Sequence, residues 1–196
     1  MHQTILFIDG ENFIFKIEQV LKRNKINMKE FDISKARFDQ LFSKALKDIQ
    51  IARRIFYVAK LHVHASDKEK SNELIDLQRK LRNSLASQGF EIMVAGNVRA
   101  QTVKMSHTTK TIFREKGVDV NIAVDMVSLA ADKVIERAIL CSSDSDLQPA
   151  VKEVKKRGVA MIYLGFQMQP NKGLSYTSDQ SILLKNEDIL QACGYK

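Results

Sequence analysis

Short apolar runs alternate along the chain with longer segments in which apolar residues follow a helical period. Each run is compact, rich in β-branched or aromatic residues, and bounded by polar residues or glycine, which predicts strands. We expect these strands at residues 4–8, 54–59, 91–95, 137–142 and 159–164. The alternation is typical of a parallel sheet covered by helices on both faces, so the predicted class is α/β.

Two of the intervening segments carry an apolar stripe at helical spacing, and we expect both stripes to face the core. The stripes consist of Leu74, Leu77, Leu81 and Leu85, and of Val120, Ala123, Val124, Val127 and Ala131. Gly89 and Gly158 stand where helix C-caps belong, which predicts two turns from helix to strand.

Residues 97–116 are polar, rich in Lys and Arg, and without a clear period, which favours a loop-like excursion. Residues 165–178 are turn-like, and an apolar run at 181–184 and a short helix at 186–192 follow. No internal repeat is found. We therefore predict a domain over residues 1–165 and a C-terminal extension, 166–196, packed on the same domain.

With 196 residues the chain is long enough for one substantial core, and its net charge of +8 favours a polyanionic partner, with nucleic acid first. A basic surface can also serve solubility alone. Cys141 lies in an apolar run that predicts a buried strand, which fits a reducing compartment. Since neither a leader nor a bilayer-spanning run is found, we expect a cytoplasmic protein without a membrane partner.

Acidic residues follow two of the predicted strands and precede one predicted helix. Asp9 ends the first strand, where open α/β sheets place their ligand crevice. Asn12 could cap the next helix or reach toward Asp9 or a substrate phosphate, and capping is the favoured prediction. Asp119 precedes the helix that contains Asp125, but their six-residue spacing puts the two acids on different helix faces, so Asp119 is favoured.

The fourth predicted strand ends in Ser142-Ser143-Asp144-Ser145-Asp146, which delivers two acids one residue apart into a helix start. Paired carboxylates are hard ligands for Mg²⁺ or Mn²⁺, and Ser143 with the helix amides could hold a phosphate. Each acid alone is equally explained as a helix-initiating residue, worth at most about 1 kcal/mol. Four acids at one sheet edge are better explained by a bound cation, because like charges repel.

The motifs IDGEN at 8–12, KGVDV at 116–120 and SSDSDL at 142–147 resemble, in this order, the NYN family, the LabA-like branch of the PIN-like nuclease superfamily. The resemblance implies a three-layer α/β/α PIN-like fold and an endoribonuclease that depends on Mg²⁺ or Mn²⁺. It assigns Asp9, Asp119, Asp144 and Asp146 to the acidic site. Asn12 matches the polar residue of the first motif, and Asp125 matches an acid less securely tied to the ion.

Basic residues in the excursion lead into Asp119 and suggest a path for RNA phosphates, although a solvated loop explains them equally well. They are Arg99, Lys104, Lys110, Arg114 and Lys116. Lys116 could also stabilise charge in the transition state. Single-stranded DNA remains a possible substrate, and a homodimer a possible assembly.

Other interpretations of the same residues carry less weight. A noncatalytic RNA-binding or regulatory module would keep the fold and the basic surface without turnover. Toprim and haloacid-dehalogenase sites also combine a first-strand acid with a later pair, but they favour Glu or a DxD motif where Asp9 stands. Phe13 and Phe15 could stack on bases but are expected in the core, and His62, His64 and His107 receive no catalytic role.

Overall fold

The computed structural model describes residues 3–28, 30–61, 68–105 and 108–195, with side chains except those of Lys70 and residues 99–115. Its strands are β1 (Gln3–Asp9), β2 (Arg53–Lys60), β3 (Glu91–Met105), β4 (Thr108–Lys116), β5 (Ile135–Cys141), β6 (Ala160–Phe166) and β7 (Gln180–Leu184). Its α-helices are α1 (Gly10–Arg23), α2 (Phe38–Ala45), α3 (Lys68–Ser87), α4 (Val118–Ala131), α5 (Gln148–Lys156), α6 (Lys172–Thr177) and α7 (Asn186–Ala192).

The strands form one sheet in the order β4-β3-β2-β1-β5-β6-β7. The β3–β4 pair is antiparallel, and the other pairs are parallel. From β1 the chain builds outward through β2 and β3, then returns to the other side of β1 with β5. The strand order therefore reverses between β1 and β5, and the ligand crevice of an open parallel sheet lies at the carboxyl ends of such strands.

The sheet separates two hydrophobic cores, as expected for three layers. On one face, α1, α2, α3 and α7 bury side chains such as Phe13, Phe42 and Ile189 against Leu6 and Ile8 of β1. On the other face, α4, α5 and α6 pack on the alternate β1 residues, Ile5 and Phe7. The period of two along β1 thus feeds both cores, and burial of each large apolar side chain contributes about 1.5–3 kcal/mol.

The predicted α/β class and mostly parallel sheet are confirmed, and all five predicted strands are present. Two further strands extend the sheet. Residues 97–105 and 108–116 are not a loop: β3 continues to Met105, and its residues from Asn97 onward pair with β4. Their strand conformation could not be predicted from the polar sequence, because backbone pairing between two strands does not require an apolar stripe. The apolar run at 181–184 is strand β7, which adds a parallel edge beside β6.

The apolar stripe predicted for α4 is wrong in part, since Ala123 and Val127 pack half-buried against the core but other members do not. Val120 and Val124 are 58% and 55% exposed, and the helix buries Val118, Ile122 and Met126 instead. Apolar residues occur on most sides of α4, so the helical period did not select one face. In α3, Leu81 and Leu85 are buried as predicted, whereas Leu77 is 52% exposed.

The two predicted C-cap glycines and the buried position of Cys141 are confirmed. Gly89 and Gly158 adopt left-handed φ angles of 81° and 80° directly after α3 and α5, as C-cap glycines do. Cys141 is buried in β5 as a free thiol. Within the described ranges, no helix combines the length and the apolar character that a bilayer crossing requires.

Candidate active site at the carboxyl edge of the sheet

Asp9 ends β1 and begins α1, and both of its carboxylate oxygens accept hydrogen bonds. Oδ1 accepts from the backbone N–H of Asn12 at 3.2 Å, which makes Asp9 the N-cap of α1, and Oδ2 accepts from the Ser142 hydroxyl at 2.9 Å. The residue is only 7% exposed. Asp9 is therefore held between the first and the fifth strand, where the strand order reverses.

Burial raises the pKa of Asp9 from 3.8 to about 6, against the lowering effect of its bonds to Ser142 and Asn12. The negative charges of Asp144 and Glu11 raise the pKa further. The loss of hydration is the main cause, because a buried carboxylate exchanges water for fewer and weaker partners. A cation bound beside Asp9 would stabilise its ionised carboxylate.

Gly10 lets α1 begin directly against the sheet. A Cβ at this position would overlap the Tyr57 carbonyl oxygen and the Phe56 ring of β2. The absence of a side chain therefore allows the turn from β1 into α1 to lie close to β2, with Asp9 at its tip.

Asn12 does not cap α1, contrary to the favoured prediction, because Asp9 occupies the cap position. Instead, the Asn12 side-chain oxygen accepts a hydrogen bond from the backbone N–H of Ser143 at 2.9 Å. This bond joins the start of α1 to the segment after β5. Asn12 therefore holds together the two elements that carry Asp9 and Asp144.

The segment Ser142–Asp146, which we call the acidic loop, folds on its own side chains. The Ser142 hydroxyl accepts from the N–H of Asp144 at 3.0 Å while it donates to Asp9. The Asp144 carboxylate accepts from the N–H of Asp146 at 2.9 Å and caps a short 3-10 helix, Ser145–Leu147. Asp144 is half-buried near Asp9, and Asp146 is exposed to solvent.

The two acids of α4 differ in their surroundings. Asp119 lies half-buried in the first turn, after Gly117, whose left-handed φ of 91° starts the helix. Asp125 accepts a hydrogen bond from the Tyr57 hydroxyl at 2.8 Å. Burial and this bond raise the pKa of Tyr57. Asp125 is therefore bonded to a residue of the sheet, whereas the Asp119 carboxylate accepts no hydrogen bond among the described contacts.

The predicted phosphate-binding residues lie on the hairpin of β3 and β4. Lys60 at the end of β2 pairs with Asn97 of β3, but β3 continues to Met105, so the hairpin extends past the carboxyl edge of β2. We call residues 98–115 the arm. The arm contains four of the predicted basic residues, Arg99, Lys104, Lys110 and Arg114, whose side chains lie outside the described part of the structure. Residues 62–67 and 106–107, and with them His62, His64 and His107, also lie outside it. Lys116 is exposed at the base of the arm.

Asn171, which the sequence did not single out, contacts the acidic loop from the C-terminal part of the chain. Its side-chain amide donates to the Ser143 carbonyl at 2.8 Å, its N–H donates to the Tyr163 hydroxyl oxygen at 2.9 Å, and its side-chain oxygen caps α6. An Asn three residues before an apolar residue predicts a helix cap, but no local pattern predicts a partner 28 residues away. Nearby, the buried Lys16 of α1 donates to the Gln169 side chain at 2.9 Å.

These donors fit a hard divalent cation in part. Carboxylate, hydroxyl and amide oxygens are the ligands of Mg²⁺ and Mn²⁺, and a cation would balance the repulsion between Asp9 and Asp144. Among the described residues, no three His, Cys, Asp or Glu side chains are grouped closely enough to hold an ion. The structure thus brings Asp9, Ser142 and Asp144 together, and it leaves the carboxylates of Asp119 and Asp146 outside that hydrogen-bonded group.

The model of the NYN domain family matches residues 3–185 of the chain. No curated protein matches it. Among solved structures, the chain is similar to the crystal structure of a protein of unknown function, VPA0982, from Vibrio parahaemolyticus RIMD 2210633, with a TM-score of 0.51 and 19% sequence identity over 93% of each chain. At that identity the likeness supports a shared fold alone.

Proposed function

The chain belongs to the NYN domain family, a family of PIN-like nucleases, and we propose that it is a divalent-metal-dependent endoribonuclease acting on single-stranded RNA. The observation that carries the proposal is the buried carboxylate of Asp9 beside Asp144 at the point where the strand order reverses. Burial and the like charge of Asp144 both disfavour the ionised form of Asp9, and such perturbed acids are concentrated at functional sites.

In this proposal Asp9, Asp119, Asp144 and Asp146 hold one or two Mg²⁺ or Mn²⁺ ions. When bound, such an ion supplies positive charge at the scissile phosphate and an activated water. Asp9 and Asp144 form the centre of the site because they already lie together. Asp119 in the first turn of α4 and the exposed Asp146 complete the ligand set around them.

The chain's own polar groups orient these acids. Ser142 fixes the rotamer of Asp9 and, through its second hydrogen bond, the backbone of Asp144. Asn12 sets the distance between α1 and the acidic loop through Ser143. Such fixed geometry matters because a shift of about 1 Å in a catalytic group can cost about 100-fold in rate.

The arm and the residues at its base supply the positive charge for RNA binding. Residues 97–116 contain the basic residues Arg99, Lys104, Lys110, Arg114 and Lys116 against the single acid Glu115, a net charge of +4. Contacts from these residues would neutralise backbone phosphates without reading the sequence of bases. Ser143, predicted from the sequence as a phosphate contact, is left out, because its N–H donates to Asn12 and its hydroxyl oxygen is buried.

Cleavage of labelled single-stranded RNA with Mn²⁺, Mg²⁺ or EDTA tests the proposal. We expect cutting by the wild type only with a divalent ion, and loss of cutting in Asp9→Asn and Asp144→Asn. Asp132→Asn is the matched control, because this exposed acid lies at the far end of α4. The same assay with single-stranded DNA decides which nucleic acid is cut. Metal-independent cutting that survives both substitutions would contradict the proposal.

A noncatalytic RNA-binding module is the second candidate. It is favoured by the observation that the described acids do not form a group of three around one point. In that case the arm would bind RNA, and the acidic loop would be only a helix start. RNA binding without cutting under every metal condition, unchanged in Asp9→Asn, is the result that would select this candidate.

A further inference from the structure

An apolar groove runs between α1 and α3 on the face of the sheet opposite α4. Its cavity of about 440 Å³ is lined by Ile14 and Phe15 of α1, Leu74 and Leu77 of α3, and Val58 and Ala59 of β2. This volume falls within the range of about 300–1,000 Å³ typical of small-molecule sites. The groove is therefore large enough to hold a planar ring system.

The groove opens beside the acidic edge. Gly10 lines it, and Gly10 directly follows Asp9 in the chain. The wall residues Val58 and Ala59 lie near the carboxyl end of β2, whose Tyr57 is in register with Asp9. A nucleotide strand with one phosphodiester at Asp9 would therefore pass close to Gly10, which lines the groove.

Two large apolar side chains that line the groove are exposed in the part of the chain that the structure describes. Phe15 is 53% exposed and Leu77, on the opposite wall, is 52% exposed, whereas Phe13, two residues from Phe15, is completely buried. The sequence suggested that both phenylalanines belong to the core, and the structure separates them. An aromatic ring and an aliphatic side chain on opposite walls can hold a flat ring between them.

The polar groups at the groove select among possible ligands. Glu11 and Glu18 line it from α1, and Glu18 is paired with Lys22 at 3.0 Å. Carboxylates disfavour a phosphate at this position but accept hydrogen bonds from the amino groups of a base. Apolar walls with carboxylates therefore fit a nucleobase, and the backbone phosphates are expected on the side of the basic arm.

We propose that this groove is a nucleobase-binding subsite, in which a base of the RNA strand next to the scissile phosphodiester stacks on Phe15 against Leu77. The inference rests on the proposed nuclease function and adds a position to its substrate. It also means that the enzyme contacts a base as well as the backbone, so cleavage depends on what occupies one position of the strand.

Binding without cleavage tests the subsite directly. Single-stranded RNA with 2-aminopurine at one position at a time is titrated with protein in EDTA, and stacking is read as quenching of the 2-aminopurine fluorescence. We expect strong quenching at one position for the wild type, and its loss in Phe15→Ala and Leu77→Asp. Val124→Asp is the matched control, because Val124 is 55% exposed on a helix of the opposite face; it should quench as the wild type does.

Cleavage supplies the second measurement. An RNA with an abasic residue at the quenched position should be cut about ten-fold more slowly than the intact strand by the wild type, the size of one base–aromatic contact. Phe15→Ala should cut both strands at the same reduced rate. Abasic residues elsewhere in the strand should change the rate little.

The outcomes separate the two proposals. Cleavage with no quenching at any position, and with no abasic effect, overturns the subsite and leaves the nuclease standing. Quenching at one position without metal-dependent cleavage supports the base site but overturns the nuclease. Quenching that persists in Phe15→Ala and Leu77→Asp places the base elsewhere and overturns the subsite.

Discussion

The ionised carboxylate of Asp9 lowers the stability of the metal-free fold, and a bound metal ion would remove this effect. Its pKa is raised from 3.8 to about 6, so the metal-free native state takes up a proton between these pH values more readily than the unfolded chain. Stability from this group is full below pH 4, is lost as the pH rises through 6, and is lower by up to about 3 kcal/mol at pH 8. The site therefore stores electrostatic strain at neutral pH.

We predict that Asp9→Asn stabilises the metal-free protein by about 1–3 kcal/mol at pH 8, because it removes the buried charge while Asn still caps α1. The difference from wild type should shrink toward zero near pH 4, where the wild-type carboxyl is protonated. Urea unfolding in EDTA across this pH range measures it. Asp132→Asn, at an exposed acid, should change stability little at either pH. A variant less stable than wild type at pH 8 would show that the Asp9 charge is not strained.

The sequence allowed the acids to be predicted, but not their partners. Asp9 and Asp144 could be assigned because Asp9 ends one apolar strand and Asp144 comes shortly after another, and strand ends meet at one edge of a parallel sheet. The interaction of Asn12 with Ser143, 131 residues away, depends on the path of the backbone between them. The local sequence pattern does not determine whether such a side chain caps its own helix or bonds to another element.

A second prediction concerns the hydroxyl of Tyr57, which is completely buried and donates to Asp125 at 2.8 Å. Asp125→Ala leaves this hydroxyl without its acceptor and should cost about 1–3 kcal/mol. Combining it with Tyr57→Phe should cost less than the sum of the two single variants, as measured by urea unfolding. Asp119→Ala, on the same helix, should leave stability within about 0.5 kcal/mol but abolish cleavage. Equal stability losses for Asp119→Ala and Asp125→Ala would contradict this division of roles.

Among the elements, the segment between β6 and α6 is placed to organise the acidic loop. Asn171 holds the Ser143 carbonyl, and Asn12 holds the Ser143 N–H from the other side. Gln169 in the same segment accepts from Lys16 of α1. Ser143, directly before Asp144, is therefore held from two sides, and the bond between Lys16 and Gln169 joins the two segments that hold it.

We predict that Asn171→Asp weakens Mn²⁺ binding and cleavage by about ten-fold or more, the cost of losing a group that orients ligands. Asp retains the capping oxygen for α6, but it replaces the donor to the Ser143 carbonyl with a second acceptor. Calorimetric titration with Mn²⁺ and cleavage rates measure the effect. Asn83→Asp, at an exposed site on α3, is the matched control. Unchanged Mn²⁺ affinity in a folded Asn171→Asp protein would exclude a positioning role.

Elements were predicted best where burial gives a clear pattern. The five predicted strands follow continuous apolar runs, as strands covered on both faces do. In α4, apolar residues surround the helix, and the exposed Val120 and Val124 could not be distinguished from the buried Ile122 and Met126. The residues of β4 are polar, and their strand conformation depends on pairing with β3. Contacts with other elements therefore determine both the buried face of α4 and the strand conformation of β4.

For the whole molecule, the topology explains why distant motifs meet. The strand order reverses between β1 and β5, so residues 9 and 144 lie at neighbouring strand ends. The arm continues past the same edge on the β3 side, and residues 167–171 reach it from the β6 side. Acidic residues thus occupy the middle of the edge, and the basic arm lies to one side of it.

Under the proposed function, this division of charge predicts that RNA affinity depends on the arm. Each backbone phosphate that a basic residue neutralises on a single strand contributes about −0.7 to the slope of log K against log salt. We predict that replacing Arg99, Lys104, Lys110 and Arg114 together by Ala reduces the magnitude of that slope by up to about 2.8, from four such contacts. Fluorescence anisotropy with single-stranded RNA in EDTA, from low to moderate salt, measures the slope.

The control for the arm removes the same charge elsewhere. Arg23, Lys25, Lys35 and Lys47 are exposed and lie outside the arm and the acidic loop. Replacing these four by Ala lowers the net charge equally but should change the slope by much less, because the effect depends on direct phosphate contact. Equal reductions in the two quadruple variants would mean that RNA responds to overall charge, and the arm would then have no specific part in binding.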